Sequence, residues 1–323
     1  MIAVVGTGAW GTAIAAILAG RVAVCLWGRD PAKVAQLART RRHPALGERA
    51  LPAALQITAE AEPLAEAELV LWAVPVQHSR ALAQRLRFAP RAPLVSLAKG
   101  LEEGSLARVS EILAATQPGR PLAALSGPSH AIEILAGLPA CLVAAGEPAL
   151  CQRLVALLHD ERLRIYTSAD LLGVELAGAL KNVVAIASGI CEGLGLGDNA
   201  RAALIARGLA EMRRLGRALG AHDATFAGVA GVGDLLTTCY APHGRNRALG
   251  LALARGENPM DFLSRPDRVA EGAWTSRAAV ELGRRVGIEM PIAAQVSAVI
   301  WEGLPVATAL QRLLSRSPKE DDA

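Results

Sequence analysis

The chain has 323 residues, of which 52% are hydrophobic, 20% charged and only 3% aromatic, with a formal net charge of +4. That length suits two domains, each burying an aliphatic core, and that composition excludes a disordered chain. The arginines are scattered and aromatics for base stacking are scarce, so the positive balance points to anionic small molecules rather than to nucleic acid.

The first eleven residues, MIAVVGTGAWG, set the frame. Ile2 to Val5 is a run of β-formers, and Gly6, Gly8 and Gly11 follow in G-x-G-x-x-G spacing where a strand must turn into a helix. Gly6 permits the tight turn, Gly8 lets backbone approach a pyrophosphate, and Gly11 lets the helix pack closely on the strand. Thr12 to Ala19 continues as a strong helix former with its amides toward the diphosphate, Gly20 ends it, and Val22 to Trp27 supplies a second strand. A dinucleotide-binding βαβ unit is the reading that follows.

Further strands are expected at Leu69 to Val74, Leu94 to Ala98, Leu122 to Leu125, Ala140 to Ala144 and Arg164 to Tyr166, alternating with alanine-rich helices. The fold class is therefore an α/β Rossmann domain with a mostly parallel sheet over residues 1–166. An all-α domain follows over 167–315, with helices near 169–190, 199–219, 232–239, 244–254, 259–264, 274–287, 292–301 and 305–314. The polar stretch 316–323 reads as a flexible tail. The substrate site is expected in a cleft between the domains, at the carboxyl ends of the strands.

Five cysteines (Cys25, Cys141, Cys151, Cys191, Cys239) are odd in number and lack a C-x-x-C pair, which suits reduced, buried thiols in a cytosolic protein. Neither cysteines nor histidines form a metal cluster, so no metal is expected. Met1 leads directly into a strand, without a signal peptide, and the most apolar helix, near Leu171 to Ile190, carries Glu175 and Lys181 in its middle, against a membrane span.

Several polar residues sit where chemistry is expected. Arg29 lies at the end of the second strand, where NAD-specific sites place an acid; an arginine suits a 2′-phosphate, so NADP should be accepted, while Asp30 is read as a cap for the helix from Pro31. Lys99 directly follows a strand, and Ser129 in the turn Ser126-Gly127-Pro128-Ser129 can cap the helix from His130 or hold an anion. Lys181 lies in GVELAGALKNVVAIASGI with Ala177, Gly178, Val184 and Ala185 as helical neighbours and no acid among them. Desolvation there would lower its pKa and make it a base, and a snorkelling structural lysine is the other reading. Asp234 after GVAGVG is a helix cap or a site acid, and the Gly244-Arg245-Asn246-Arg247 cluster is a phosphate clamp or an exposed basic helix start. For Glu271 in VAEG, spacing does not separate a surface charge from a ribose ligand.

In order along the chain, MIAVVGTGAWGTAIA, LWGRD, AKGLE, LSGPSHAIE, VELAGALKNVVAIASGI, NARAALIARGLAEM, GDLLTTC, GRNRALG and VAEG closely resemble the bacterial-type NAD(P)-dependent sn-glycerol-3-phosphate dehydrogenases. The resemblance implies reversible interconversion of dihydroxyacetone phosphate and sn-glycerol 3-phosphate with NADP or NAD, in the cytoplasm and supplying phospholipid synthesis. It places Lys181 as general acid/base. It places Lys99, Gly127, Ser129, Lys181, Asp234, Gly244, Arg245 and Asn246 on the substrate, and Gly6, Gly8, Ala9, Trp10, Gly11, Arg29, Lys99, Ala131, Arg245, Val269 and Glu271 on the cofactor. It is also compatible with a homodimer. Two positions depart from the family pattern: Gly244 stands where serine is common, which removes a hydroxyl contact to phosphate, and His130 stands where phenylalanine is common. A two-domain reductase of another keto or hydroxy acid, and a non-catalytic nucleotide sensor, are the alternatives. The GRNR cluster argues against the first, and retention of Lys99, Lys181 and Asp234 together argues against the second.

Overall fold

The computed structural model describes residues 1–242, 244–265 and 269–317. The part of the expected tail from 318 onward lies outside the described residues. The chain divides into two compact units, one formed by 1–98 with 109–171 and the other by 99–108 with 172–323.

The first unit carries eight strands among the described residues: β1 (Ile2–Val5), β2 (Val24–Trp27), β3 (Gln56–Thr58), β4 (Leu69–Trp72), β5 (Leu94–Ser96), β6 (Leu122–Ser126), β7 (Ala140–Gly146) and β8 (Leu163–Ser168). They form one sheet in the order β3-β2-β1-β4-β5-β6-β7-β8. Pairing is parallel throughout except between β6 and β7. The order reverses at β1, where Ile2 faces Val24 on one side and Leu69 on the other. Helices α1 (Ala9–Ala19), α2 (Pro31–Thr40), α3 (Val76–Arg85), α4 (Val109–Thr116), α5 (Ala131–Leu135) and α6 (Pro148–Leu158) cover it. The central strands IAVV and LVLW are buried throughout, because a sheet covered on both faces needs apolar residues at every position.

Strand β3 escaped the sequence reading. Its three residues, QIT, are too short and too polar to show a period, and they are ordered by pairing with β2 rather than by their own pattern. The short Asp223–Ala227 helix was missed for the same reason.

The second unit is helical: α7 (Leu171–Gly193), α8 (Gly197–Ala218), α9 (Asp223–Ala227), α10 (Asp234–Tyr240), α11 (Arg245–Ala254), α12 (Pro259–Leu263), α13 (Glu271–Val286), α14 (Pro291–Trp301) and α15 (Val306–Leu314). The expected boundary after residue 166 lies short of the observed one, because β8 continues to Ser168 and the Asp170 amide donates to the Ser168 hydroxyl (3.1 Å) before α7 begins. The segment 99–108 belongs here too. Leu101 and Leu106 enter the helical core, and Arg108 donates to Glu175 of α7 across 2.8 Å.

By length and composition α7 is apolar enough to cross a membrane, but 89% of its most apolar stretch is buried. Glu175 and Lys181 are ion-paired inside that packing, so α7 is a core helix. Its contact with α11 is backbone to backbone: a Cβ on Gly250 would lie 2.1 Å from the Ile186 carbonyl oxygen, and one on Gly189 would lie 2.2 Å from that of Arg247. Glu211 of α8 accepts from the amides of Ile292 (2.8 Å) and Ala293 (3.0 Å), supplying the cap that α14 lacks in its own sequence.

Neither helix can give way at Gly250, since the obstacle is main chain. Gly250→Ala should therefore cost about 3 kcal/mol or more of stability, read as a lowered urea midpoint. Ala252→Gly on the same helix, which adds no atoms, should cost about 1 kcal/mol for lost helix propensity plus a small cavity term.

Candidate active site

In the first unit the glycine-rich turn is built as its spacing predicts. Gly6 has φ +117°, and a Cβ there would meet the Ala73 carbonyl oxygen at 2.6 Å. At Gly11 it would meet the Gly6 carbonyl oxygen at 2.3 Å, so both positions are closed to side chains by the protein itself. Gly8 differs: it caps α1, no side chain takes the first-turn amides, and a Cβ on it would meet nothing within 4 Å. Open space over unclaimed amides at a helix N-terminus fits a diphosphate. Next to it, the buried indole Nε1 of Trp10 has no hydrogen-bond partner among the described residues. Arg29 is exposed beyond β2, and Asp30 accepts from the amides of Ala32 (3.1 Å) and Lys33 (3.2 Å), which makes it the expected cap of α2. These features fit a dinucleotide.

In the second unit Lys181 of α7 is buried and directs Nζ to Asp234 Oδ1 (2.5 Å) and Thr238 Oγ1 (2.5 Å). Lys99 Nζ donates to the other Asp234 oxygen at 2.7 Å. One carboxylate thus holds two ammonium groups. Burial lowers the Lys181 pKa from 10.5 to about 8; Asp234 opposes the shift and the Lys99 charge adds to it. Burial alone would raise Asp234, but the two lysines outweigh it and hold its carboxyl below the usual range. The Thr238 hydroxyl donates to the Asp234 carbonyl (2.7 Å), so toward Lys181 it is an acceptor. Two of the three ammonium hydrogens of Lys181 are then fixed, and the third has no partner among the described residues.

Two family models match the chain: the NAD-dependent glycerol-3-phosphate dehydrogenase N-terminus over residues 1–151 and the C-terminus over 170–311. The chain belongs to the NAD-dependent glycerol-3-phosphate dehydrogenase family. It is similar to glycerol-3-phosphate dehydrogenase [NAD(P)+] of Thermus thermophilus, with 46% identity covering 99% of each sequence. The Rhodospirillum rubrum enzyme of the same description is also 46% identical, covering 98% of this chain and 92% of its own. The crystal structure of glycerol-3-phosphate dehydrogenase from Coxiella burnetii superposes with a TM-score of 0.93 at 35% identity, covering 98% of each chain.

Within this dehydrogenase fold the remaining expected residues divide by unit. Gly127 has φ +132° and faces the backbone of β7, while Ala9, Trp10 and Ala131 pack half-buried on the core of the first unit. Ser129 is not the cap expected for the following helix: His130 takes the capping position of α5, and the Ser129 hydroxyl donates instead to the Gly127 carbonyl (2.8 Å), closing the turn on itself. Asp234 is not a helix cap either. It is the first residue of α10 after a π-type turn over Val229–Gly233, and the turn aims its carboxylate inward at the lysines.

In the second unit Gly244 caps α11 without a side-chain bond, and Arg245, exposed at the helix start, forms no hydrogen bond or ion pair among the described residues, although the Glu271 charge acts on it. Arg247, by contrast, is committed to Glu192 (2.7 Å), so only the first arginine of the cluster is available to a ligand. Asn246 donates to Asn182 (2.9 Å) and accepts from the Gly272 amide (3.0 Å). Val269 is half-buried just before α13, and Glu271 opens that helix.

Thr238 and Asn182 were absent from the residues picked out of the sequence. Thr238 lies four positions after Asp234 on one helix, which is the signal that could have found it; Asn182 donates to the Lys99 carbonyl (3.3 Å), a contact nothing local encodes. Among the described residues no group of three or more metal-ligating side chains occurs, and the five cysteines are unpaired. Removing the shared carboxylate strands two ammonium groups, so Asp234→Ala should destabilise the fold by about 3–5 kcal/mol, measured by denaturant unfolding. Asp30→Ala, an exposed cap, should cost about 1 kcal/mol.

Proposed function

We propose that this chain interconverts dihydroxyacetone phosphate and sn-glycerol 3-phosphate, with Lys181 as the residue that gives and takes the proton on the C2 oxygen. The observation that carries the role is the buried Lys181 amine, its pKa lowered to about 8, with two hydrogens tied and the third position open. A lysine that titrates near working pH can serve as acid in one direction and as base in the other. Bound NADPH or NADH supplies the hydride, and the oxidised form accepts it in reverse.

Lys99 polarises the same oxygen and opposes protonation of Lys181, while Asp234 orients both amines. Arg245 holds the phosphate through its unpaired guanidinium, with the Gly244 amide in place of the usual hydroxyl, so that binding of a non-reacting group positions C2. The engaged Asn246 has one amide hydrogen left to offer the substrate. Exposed Arg29 suits the 2′-phosphate of NADP, which Asp30, occupied as a cap, is not aimed to repel, and the [NAD(P)+] description of the relatives supports NAD as well. Unpaired thiols suit a reducing compartment, and we assign the enzyme to the cytoplasm, feeding phospholipid synthesis.

The direct test is NADPH oxidation on adding dihydroxyacetone phosphate. Rapid turnover with the phosphate ester and little with dihydroxyacetone supports the reaction and the clamp; none, with NADPH still bound, overturns the substrate. Arg245→Ala should lower kcat/KM about 10- to 100-fold for the phosphate ester, mostly through KM, and leave dihydroxyacetone unaffected. Lys181→Ala should lower kcat by about 10²- to 10⁴-fold. Because oxidation needs the neutral amine, its rate should rise with pH through about 8, and because reduction needs the ammonium its rate should fall above about 8. A pH profile without a limb near there removes Lys181 from the proton transfer.

A further inference from the structure

His43 lies in the loop after α2, outside every motif the function absorbs. Its Nδ1 is 3.1 Å from the Ala45 amide and its Nε2 is 3.1 Å from the carbonyl oxygen of Thr7, the central residue of Gly6-Thr7-Gly8. The Ala45 N–H can only donate, so Nδ1 carries no proton, the neutral ring holds its proton on Nε2, and Nε2 donates to Thr7. The imidazole therefore caps the short 3₁₀ turn Pro44–Leu46 with one nitrogen and tethers the glycine-rich turn with the other.

The tether has a mechanical consequence. Gly6 and Gly11 fix the turn from beneath, and the Thr7 side chain is wedged so closely that a Cβ on Gly28 would meet its Cγ2 at 2.7 Å. On the other side of the turn, a Cβ on Gly8 would meet nothing within 4 Å among the described residues. His43 is the side chain hydrogen-bonded to the carbonyl of the Thr7–Gly8 peptide among the described residues, so it can hold that peptide plane and the direction of the amides that would meet a diphosphate. We propose that His43 is a positioning residue for dinucleotide binding, acting through the Thr7 carbonyl only while its ring is neutral. This rests on the dinucleotide reading of the first unit.

The surroundings favour the neutral ring. Burial lowers the His43 pKa below 6.5, against a smaller opposing effect of the Thr7 carbonyl. Of the helices packed on the 3₁₀ turn Pro44–Leu46, α1 has no charged residue, and α5 has one, Glu133, which is exposed, with the titratable His130 at its head. The charges of its own loop are engaged: Arg41 donates to the Leu55 carbonyl (3.0 Å), Arg42 pairs with Glu48, and Arg49 donates to the Leu135 carbonyl. Protonation would place an N–H against the Ala45 N–H, break that bond and release the ring. Affinity should then be constant above about pH 6.5 and weaken as pH falls below it.

Asparagine and glutamine separate the two tasks. Asn places an oxygen near the Nδ1 position and keeps the cap, whereas Gln places an N–H near the Nε2 position and keeps the tether. The measurement is the Kd of NAD⁺ by calorimetry on the full-length wild type, His43→Asn and His43→Gln, from about pH 7.5 to about pH 5.5, with thermal unfolding to confirm that each is folded. NAD⁺ is chosen because its diphosphate does not titrate in that range. His43→Asn should weaken binding about 3- to 10-fold at the upper pH, His43→Gln should remain nearer to wild type, and both should lose the wild type's weakening at low pH. Equal affinity in His43→Asn and wild type, Gln no better than Asn, or a pH dependence that survives either substitution overturns the proposal. Should His43→Asn fail to fold, the affinity and flat pH profile of His43→Gln decide it. Failure of the wild type to bind NAD⁺ at any pH would overturn the dinucleotide reading itself.

Discussion

Two ammonium groups share one buried carboxylate, and the second unit is arranged around that imbalance. A lysine alone in the middle of α7 would be forced neutral by desolvation, and a lysine paired with an undivided carboxylate would stay charged far above working pH. Asp234 gives one oxygen to Lys181 and the other to Lys99, so its stabilisation of either amine is shared and the like charge nearby pushes back. The result is an amine that titrates near neutrality without leaving the core. The balance depends on geometry, and the geometry depends on packing that cannot relax. Glycines at 189 and 250 bring α7 and α11 into main-chain contact, and the Gly231 position of the π-type turn before Asp234 is closed by the Phe226 carbonyl.

A second polar chain runs beside the first. The Lys99 carbonyl accepts from Asn182, Asn182 accepts from Asn246, and Asn246 accepts from the Gly272 amide at the start of α13. Buried amide chains of this kind fix orientation because each group that loses its partner remains desolvated. The segment 99–108 is drawn into the helical unit by this chain, by the Lys99 ion pair and by the Arg108–Glu175 pair. That grouping explains why a lysine that follows a sheet strand in sequence works with residues of the helical unit.

Much of this was legible beforehand, and the parts that were not share a cause. The glycine spacing exposed the βαβ start, because Gly6 and Gly11 answer to local steric demands that recur wherever a strand turns into a helix over a ligand. Lys181 stood out as a charge on an apolar helical face, and the structure buries it there. What remained hidden depends on residues far apart in sequence. Nothing near Lys181 announces Asp234, 53 positions away, as its partner. Strand β3 takes its order from β2, the direction of β7 is set by its neighbours, and the hydroxyl of Ser129 is spent within its own turn instead of on a helix. Helix caps are weak signals for this reason: Asp30 and Ser129 look alike in sequence, and only the first has the amides of a following turn within reach.

Each unit holds helix N-termini of two kinds. In α2 and α12, Asp30 and Asn258 commit a side-chain oxygen to the first-turn amides. Gly8 and Gly244 cap α1 and α11 and have no oxygen to commit, so those amides keep their polarity for something else. At Gly8 a Cβ would meet nothing within 4 Å, and that open space above the backbone fits a diphosphate. At Gly244 the nearest obstacle to a Cβ is the Thr238 carbonyl oxygen at 3.3 Å, tight but not closed. A serine there is accommodated by a shift of a few tenths of an ångström, which would be transmitted to the residue whose hydroxyl receives Lys181. Glycine at 244 leaves the Thr238 carbonyl undisturbed, so in the proposed reading the start of α11, which would hold the phosphate, is coupled through the backbone to the threonine that accepts from Lys181.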